Sequence, residues 1–294
     1  MKVLITGGQG FLGAWTVRHL VEQGHICRIL DVAPNDALLR TIAGNIGTWP
    51  ELHVGDVTNF ADVLGASKGC EAIVHLAGWL TTACKADPVQ GAHINLGGTL
   101  NVFKAAQALR INKLIHASTI GVFGPDGGAA PRPNTFYGAF KLAAEACARA
   151  YWADFGLPSV GVRPSIVFGP GRNSGLSAAP TLACKAAAQG EAYTIPFTGI
   201  SAFVYVEDVA QEIVSALEQQ FVGDRIVNMF GHIAEVDDFI AAIHAAQPNA
   251  RIEAAGPPLS FTPPAQDVDG RLPCRAPSDL AVAVKATVDF YRAR

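Results

Sequence analysis

Residues 1–13, MKVLITGGQGFLG, constrain the fold of this chain more than any other stretch. Lys2-Val3-Leu4-Ile5-Thr6 is a short apolar run, rich in β-branched residues, of the kind that forms a buried strand. It stops at Gly7-Gly8-Gln9-Gly10, and an amphipathic pattern from Phe11 to about Gln23 predicts a helix that ends at Gly24. Glycines at 7, 10 and 13 permit a tight turn, the close approach of a pyrophosphate, and close packing of helix on strand. Gly7, Gly10, Phe11 and Leu12 then face the phosphates of a dinucleotide, where the helix N-terminus offers unpaired N–H groups and the positive end of its dipole. A second predicted strand, Ile26–Asp31, ends on an acid. A carboxylate there accepts hydrogen bonds from the adenine ribose and repels a 2′-phosphate, so Asp31 favours NAD over NADP. Arg40, nine positions on, is the nearest cation that a folded-back loop could offer to such a phosphate.

The pattern repeats. Leu52–Val57 reads as strand three, with Asp56 placed to meet the adenine amino group and Val57 to pack on the ring. Ala72–Gly78 is strand four, and the small residues that follow Leu76, Ala77 and Gly78, let a cofactor lie against the backbone. His75 on this apolar strand reads as a satisfied core histidine. Lys113–Thr119 and Val160–Pro164 are strands five and six, and helices are expected over 93–109 and 135–155. Beyond Gly169 the alternation weakens: helices at 178–189, 207–219, 236–246 and 278–291 mix with short strands at 193–196, 203–206 and 225–229. Loops are expected at 125–133 and 256–277, where proline and glycine gather. This βαβ order predicts an α/β, Rossmann-type doubly wound parallel sheet over 1–169. A smaller C-terminal substrate-binding lobe over 170–294 sends some segments back to the core.

Composition narrows the function. The 294 residues are 50% hydrophobic and carry a net charge of −3 with no basic run, which argues against nucleic acid or an anionic membrane as partner. No apolar run is long enough to span a membrane, and the chain opens directly on strand one, so no signal peptide is expected. Six scattered cysteines without CxxC spacing read as structural thiols in a reducing compartment, not as disulfides or metal ligands; a cytoplasmic protein with no metal site is the expectation.

With these residues placed, the chain resembles the extended short-chain dehydrogenase/reductases of the NAD-dependent epimerase/dehydratase type. The matches are TGGQGFLG at 6–13, Asp31, GDV at 55–57, HLAG at 75–78, INLGGTLN at 94–101, Thr119, YGAFK at 137–141, RPSIVFGPG at 163–171 and YVEDVA at 205–210. The resemblance implies NAD as cofactor and a catalytic set of Thr119, Tyr137 and Lys141, with Ser118 as the adjacent backup hydroxyl. It also implies a supporting role for Asn95 at the cofactor site, and Pro164, Ile166 and Val167 lining the nicotinamide. Arg163 fits either that lining or a fold-stabilising ion pair. Free tyrosine is a poor base at neutral pH, so the chemistry expects a nearby ammonium and the oxidised cofactor's charge to lower the Tyr137 pKa.

Two departures refine the function. Ile120-Gly121 follows Thr119 where the family's 4,6-dehydratases keep an acid pair, which argues against that dehydration. Ser201-Ala202-Phe203 stands where many sugar-nucleotide enzymes carry an arginine for the substrate diphosphate, although Arg172 could substitute. The expected activity is NAD-dependent oxidation of a secondary alcohol, or reduction of the ketone, in a small hydroxylated substrate such as a sugar, sugar acid or lactone. An epimerase is the alternative and a non-catalytic cofactor-sensing protein the minor one. Resemblance also suggests a homodimer through alanine-rich faces on the 92–110 and 136–155 helices; ordinary core packing is the other reading of those alanines.

Overall fold

The computed structural model describes residues 1–125, 130–260 and 276–294. Its first half alternates strand and helix: β1 (Lys2–Thr6), α1 (Phe11–Glu22), β2 (Ile26–Asp31), α2 (Ala37–Ala43), β3 (Glu51–Val54), α3 (Phe60–Ser67) and β4 (Ala72–His75). Two short helices follow, α4 (Thr81–Ala86) and α5 (Pro88–Ala92). A π-helical turn, His93–Gly97, then runs straight into α6 (Gly98–Leu109). β5 (Leu114–Ala117), α7 (Phe136–Phe155) and β6 (Ser159–Pro164) complete this half.

Alternation along each strand sorts the side chains to two faces. Val3, Ile5, Ala72, Val74 and Ile115 join one buried cluster, while Leu4, Ile73 and Leu114 join a second on the opposite face. The strands are apolar on both sides because helices cover both. α2 to α5 were not expected from the sequence. They are short, and their apolar positions are too few to establish a helical period.

The second half contains β7 (Ile166–Phe168), α8 (Ala179–Gln189), β8 (Ala192–Ile195), β9 (Thr198–Tyr205), α9 (Val206–Glu218), β10 (Asp224–Met229), β11 (His232–Glu235), α10 (Val236–Ala246), β12 (Arg251–Ala254), β13 (Pro258–Ser260) and α11 (Leu280–Arg292). β10 returns to the main sheet, pairing parallel with β6, so the order is β3-β2-β1-β4-β5-β6-β10. A second sheet, β11-β9-β13 with β7 paired to β9, and the β8–β12 pair lie beyond it. Part of the expected loop at 256–277 is therefore strand β13, and the rest, 261–275 with Cys274, lies outside the described residues, as does 126–129 of the loop expected at 125–133.

The alanines suggested for a dimer face divide. Ala105, Ala106, Ala144 and Ala148 are buried in the chain's own core, which corrects that part of the expectation. Ala108, Ala146 and Ala150 are exposed, and Phe136 and Phe155 on α7 are 51% and 57% exposed. No helix among the described residues is long and apolar enough to cross a membrane.

Candidate active site

The site forms where the carboxyl ends of the parallel strands meet the amino ends of α1 and α7. Gly7 adopts φ +69°, and a Cβ on it would lie 2.8 Å from the Ala77 nitrogen, so only glycine serves there. A Cβ on Gly13 would collide with the Gly7 carbonyl oxygen. Helix α1 begins at Phe11 with no capping side chain and no acid in its first turn. Its first N–H groups are thus left for a ligand of the opposite charge. Asp31 closes the loop: its carboxylate accepts from the Gln9 N–H at 3.2 Å and the Val32 N–H at 3.0 Å, while burial raises its pKa. Arg40 is drawn elsewhere, paired with Asp36 at 2.7 Å and lying over the Trp49 ring, so no 2′-phosphate partner forms at this point.

Asp56 and Val57 lie just past the short strand β3 in its exit turn. Asp56 accepts from the Thr58 N–H, and Val57 is buried 2.8 Å from where a Gly98 Cβ would be. Leu76 and Ala77 are half-buried at the end of β4, and Gly78 is exposed. A Cβ on Gly78 would come within 2.5 Å of Asn95 Oδ1. Pro164 and Ile166 stand half-buried at the β6–β7 crossing, but Val167 turns into the core. Alternation along β7 sends neighbouring side chains opposite ways, so Ile166 is the more exposed of the pair.

Thr119 and Ser118 likewise diverge. Ser118 is buried and donates its hydroxyl proton to Glu145 on α7, whose carboxylate is held by Arg163 Nε at 2.7 Å and Nη2 at 2.5 Å. Ser118 is thereby committed to a structural cluster, and of the two readings of Arg163 the ion pair is the one formed. Thr119 caps the 3₁₀ turn Ile120–Phe123, its oxygen accepting from the Gly121 N–H at 3.1 Å. Because that oxygen is used as an acceptor, its proton remains available to a substrate oxygen. The Gly121 carbonyl abuts Gly138 of α7, which brings the first turn of that helix against Thr119.

Tyr137 sits in that first turn, half-buried, where the helix dipole favours a negative charge. Lys141, one turn on and buried, places Nζ 5.8 Å from the Tyr137 ring centre. Burial dominates both groups: it pushes the phenol up to about 12 and the ammonium down to about 8. The protein's own groups therefore leave burial as the larger effect on Tyr137, and the lowering expected from the sequence also calls on the oxidised cofactor's charge. The cation that does oppose the rise is Arg172, from the turn after β7, rather than Lys141.

Asn95 occupies the π-helical turn. Its Nδ2 faces the Trp79 and Gly91 carbonyls and Cys84 Sγ, each at 3.2 Å, which forces Oδ1 toward Gly78. That oxygen is buried and has no partner among the described residues. Nothing in the sequence pointed to Cys84. Arg172 was noted only as a possible phosphate ligand, because its meeting with Tyr137 requires the whole β5–β7 stretch to fold.

An open helix N-terminus, an acid at the end of β2, a bare Gly78 surface and an unpartnered amide oxygen beside it fit a bound dinucleotide. A sequence profile of the NAD dependent epimerase/dehydratase family matches residues 3–229. The chain belongs to that family. NAD is accordingly the cofactor of this family member, with Gly7–Leu12 and Asp31 as the residues that would hold it. The chain is 28% identical to a UDP-glucose 4-epimerase of Corynebacterium glutamicum over 254 residues, 78% of this chain and 75% of that one. It is 29% identical to a 3-beta-hydroxysteroid dehydrogenase of Mycolicibacterium neoaurum over 186 residues, 58% of this chain and 48% of the relative. Its fold is similar to that of the Thermus thermophilus UDP-glucose 4-epimerase in complex with NAD, with a TM-score of 0.80, 25% identity and 99% of each chain covered.

Proposed function

We propose that this protein is an NAD-dependent oxidoreductase that oxidises a secondary alcohol, or reduces the ketone, of a small polyhydroxylated substrate such as a sugar, sugar acid or lactone. The observation that carries the reading is the convergence of the Thr119 hydroxyl, the Tyr137 phenol and the Lys141 ammonium at the amino end of α7. In this reading Thr119 donates a hydrogen bond to the reacting oxygen. Tyr137, as the phenolate, takes the proton of the substrate hydroxyl and becomes the neutral phenol, while Lys141 supports the phenolate charge before that transfer and holds the adjoining ribose. Bound NAD would supply the hydride acceptor for the alcohol carbon, and the positive charge of its oxidised form would favour the phenolate.

The substrate range rests on the described residues of the lobe. Ser201 is buried within β9 opposite Ala234, which leaves no guanidinium at that point for a diphosphate. A second reading, epimerisation of a sugar, draws support from the similarity to UDP-glucose 4-epimerases over most of the chain. The two separate on one measurement. NADH accumulating from NAD and a free hydroxylated substrate, with Tyr137→Phe lowering the rate by roughly 10²–10⁴-fold and leaving NAD affinity unchanged, supports the dehydrogenase. Conversion of a UDP-sugar with no NADH released supports the epimerase, and an unaffected Tyr137→Phe variant rules out both. We further propose a cytoplasmic homodimer, joined through the exposed strip Phe136, Ala146 and Ala150 of α7.

A further inference from the structure

Arg172 is a permanently charged side chain for which the described residues supply no counter-charge. Its turn is anchored from three directions. Trp15 Nε1 of α1 donates to the Pro170 carbonyl at 3.0 Å, the Gly171 N–H donates to the Tyr291 hydroxyl of α11 at 3.0 Å, and the Gly169 N–H donates to Thr181 Oγ1 of α8 at 3.0 Å. The guanidinium is thus placed by the core and not by a loose loop. It lies over the Phe11 ring, 5.5 Å from the centre, and Nη2 donates to Ser177 Oγ at 2.6 Å. Nε is fully buried and has no partner among the described residues, and no carboxylate among them pairs with the group. Its charge also bears on the Tyr137 phenol, opposing the rise that burial causes.

A half-buried guanidinium held by one neutral hydroxyl, with a buried N–H left open, is costly unless something else brings the negative charge. The planar fork of arginine matches a carboxylate or phosphate oxygen pair. We propose that Arg172 is the anion hook of the substrate pocket, and that the substrate is a hydroxy acid whose carboxylate binds Arg172 while a hydroxyl is presented to Tyr137. This deepens the oxidoreductase reading and rests on it for the role of Tyr137. A single guanidinium suits one carboxylate better than a diphosphate, and Ser201, buried in β9, offers no second cation at the position where the resemblance implies an arginine in many sugar-nucleotide enzymes. The same oxyanion chemistry has two other sources, the cofactor's pyrophosphate and a nucleotide, and the test separates them.

Binding is measured by calorimetry on NAD-loaded protein for a series of three- to six-carbon hydroxy acids, each matched to its uncharged polyol, such as D-gluconate against D-glucitol, with UDP as a further probe. At least one acid is expected to bind about 10- to 100-fold more tightly than its polyol. Arg172→Gln removes that preference and Arg172→Lys keeps part of it, while the Kd for NAD stays within about twofold. Tyr137→Phe keeps the preference, because binding rather than turnover is read, so a failure of the catalytic reading leaves this test standing. Three results overturn the proposal. Every acid binds no better than its polyol, Arg172→Gln weakens NAD by the same factor as the acid, or UDP binds more tightly than every acid in an Arg172-dependent way.

Discussion

His75 and His116 are partners across β4 and β5, both buried beneath the catalytic groups, and both are held neutral. The hydrogen bonds of His75 specify its tautomer. Thr99 Oγ1 donates to the Asn95 carbonyl at 2.6 Å, so at its 3.0 Å contact with His75 it accepts the Nε2 proton. Nδ1 is then the acceptor for Thr6 Oγ1 at 2.7 Å, and Thr6 in turn receives the Ala77 N–H at 3.2 Å. One chain of oriented bonds therefore joins the strand before the glycine turn, the Gly78 shelf and the π-helical turn that carries Asn95. His116 has no such partner at Nε2 among the described residues and packs its ring edge-on to Phe103; burial lowers its pKa from 6.5 to about 3. The unfolded chain binds the extra proton between those values, so stability rises with pH through that window and is lost as pH falls from 6.5 toward 3. A fully titrating histidine contributes about 1.4 kcal/mol per pH unit. Denaturant titrations over this range are expected to show His116→Leu with a slope shallower by up to one proton; an unchanged slope refutes the assignment.

At the scale of the element, α1 and α7 each do two jobs with one sequence. α1 buries Ala14, Val17 and Leu20 against the sheet while its uncapped end faces the phosphates. Gly13 is where these demands collide, since any Cβ meets the Gly7 carbonyl. Gly13→Ala is expected to cost about 1–3 kcal/mol of stability and to weaken NAD binding at least about tenfold, checked by chemical denaturation and NAD titration. α7 turns Lys141, Ala144, Glu145 and Ala148 inward. Its spacing of Tyr137 and Lys141 was legible in the sequence because four residues make one helical turn whatever the surroundings. Thr119 was also the hydroxyl expected from the sequence, with Ser118 as its backup; what the sequence did not show is that Glu145 and Arg163 claim Ser118.

For the whole molecule, the second half completes the first. β10 covers the edge of β6, and α9 buries Val209, Ala210, Ile213, Val214 and Leu217 on the same side of the sheet as α1. A fragment of residues 1–169 would expose that edge and that face together, a combination that favours aggregation over folding. It is expected to show no cooperative thermal transition by circular dichroism, while the full chain unfolds cooperatively; an independently folding fragment would show the returning strand to be dispensable.

What the amino-acid order alone determined was everything set by short-range geometry: β1 and β2 to the residue, the glycine spacing at the head of α1, the acid at Asp31, and the Tyr137–Lys141 turn. Each follows from chain stereochemistry and from a period of two or 3.6. Tertiary structure decided the seventh strand, the burial of Val167, the divergence of Ser118 from Thr119 and the approach of Arg172 to Tyr137. Those depend on which segments, distant in sequence, close over one another. Burial then outweighs nearby charge, raising Tyr137 and lowering Lys141, because removing an ion from water costs more than these neighbouring charges return.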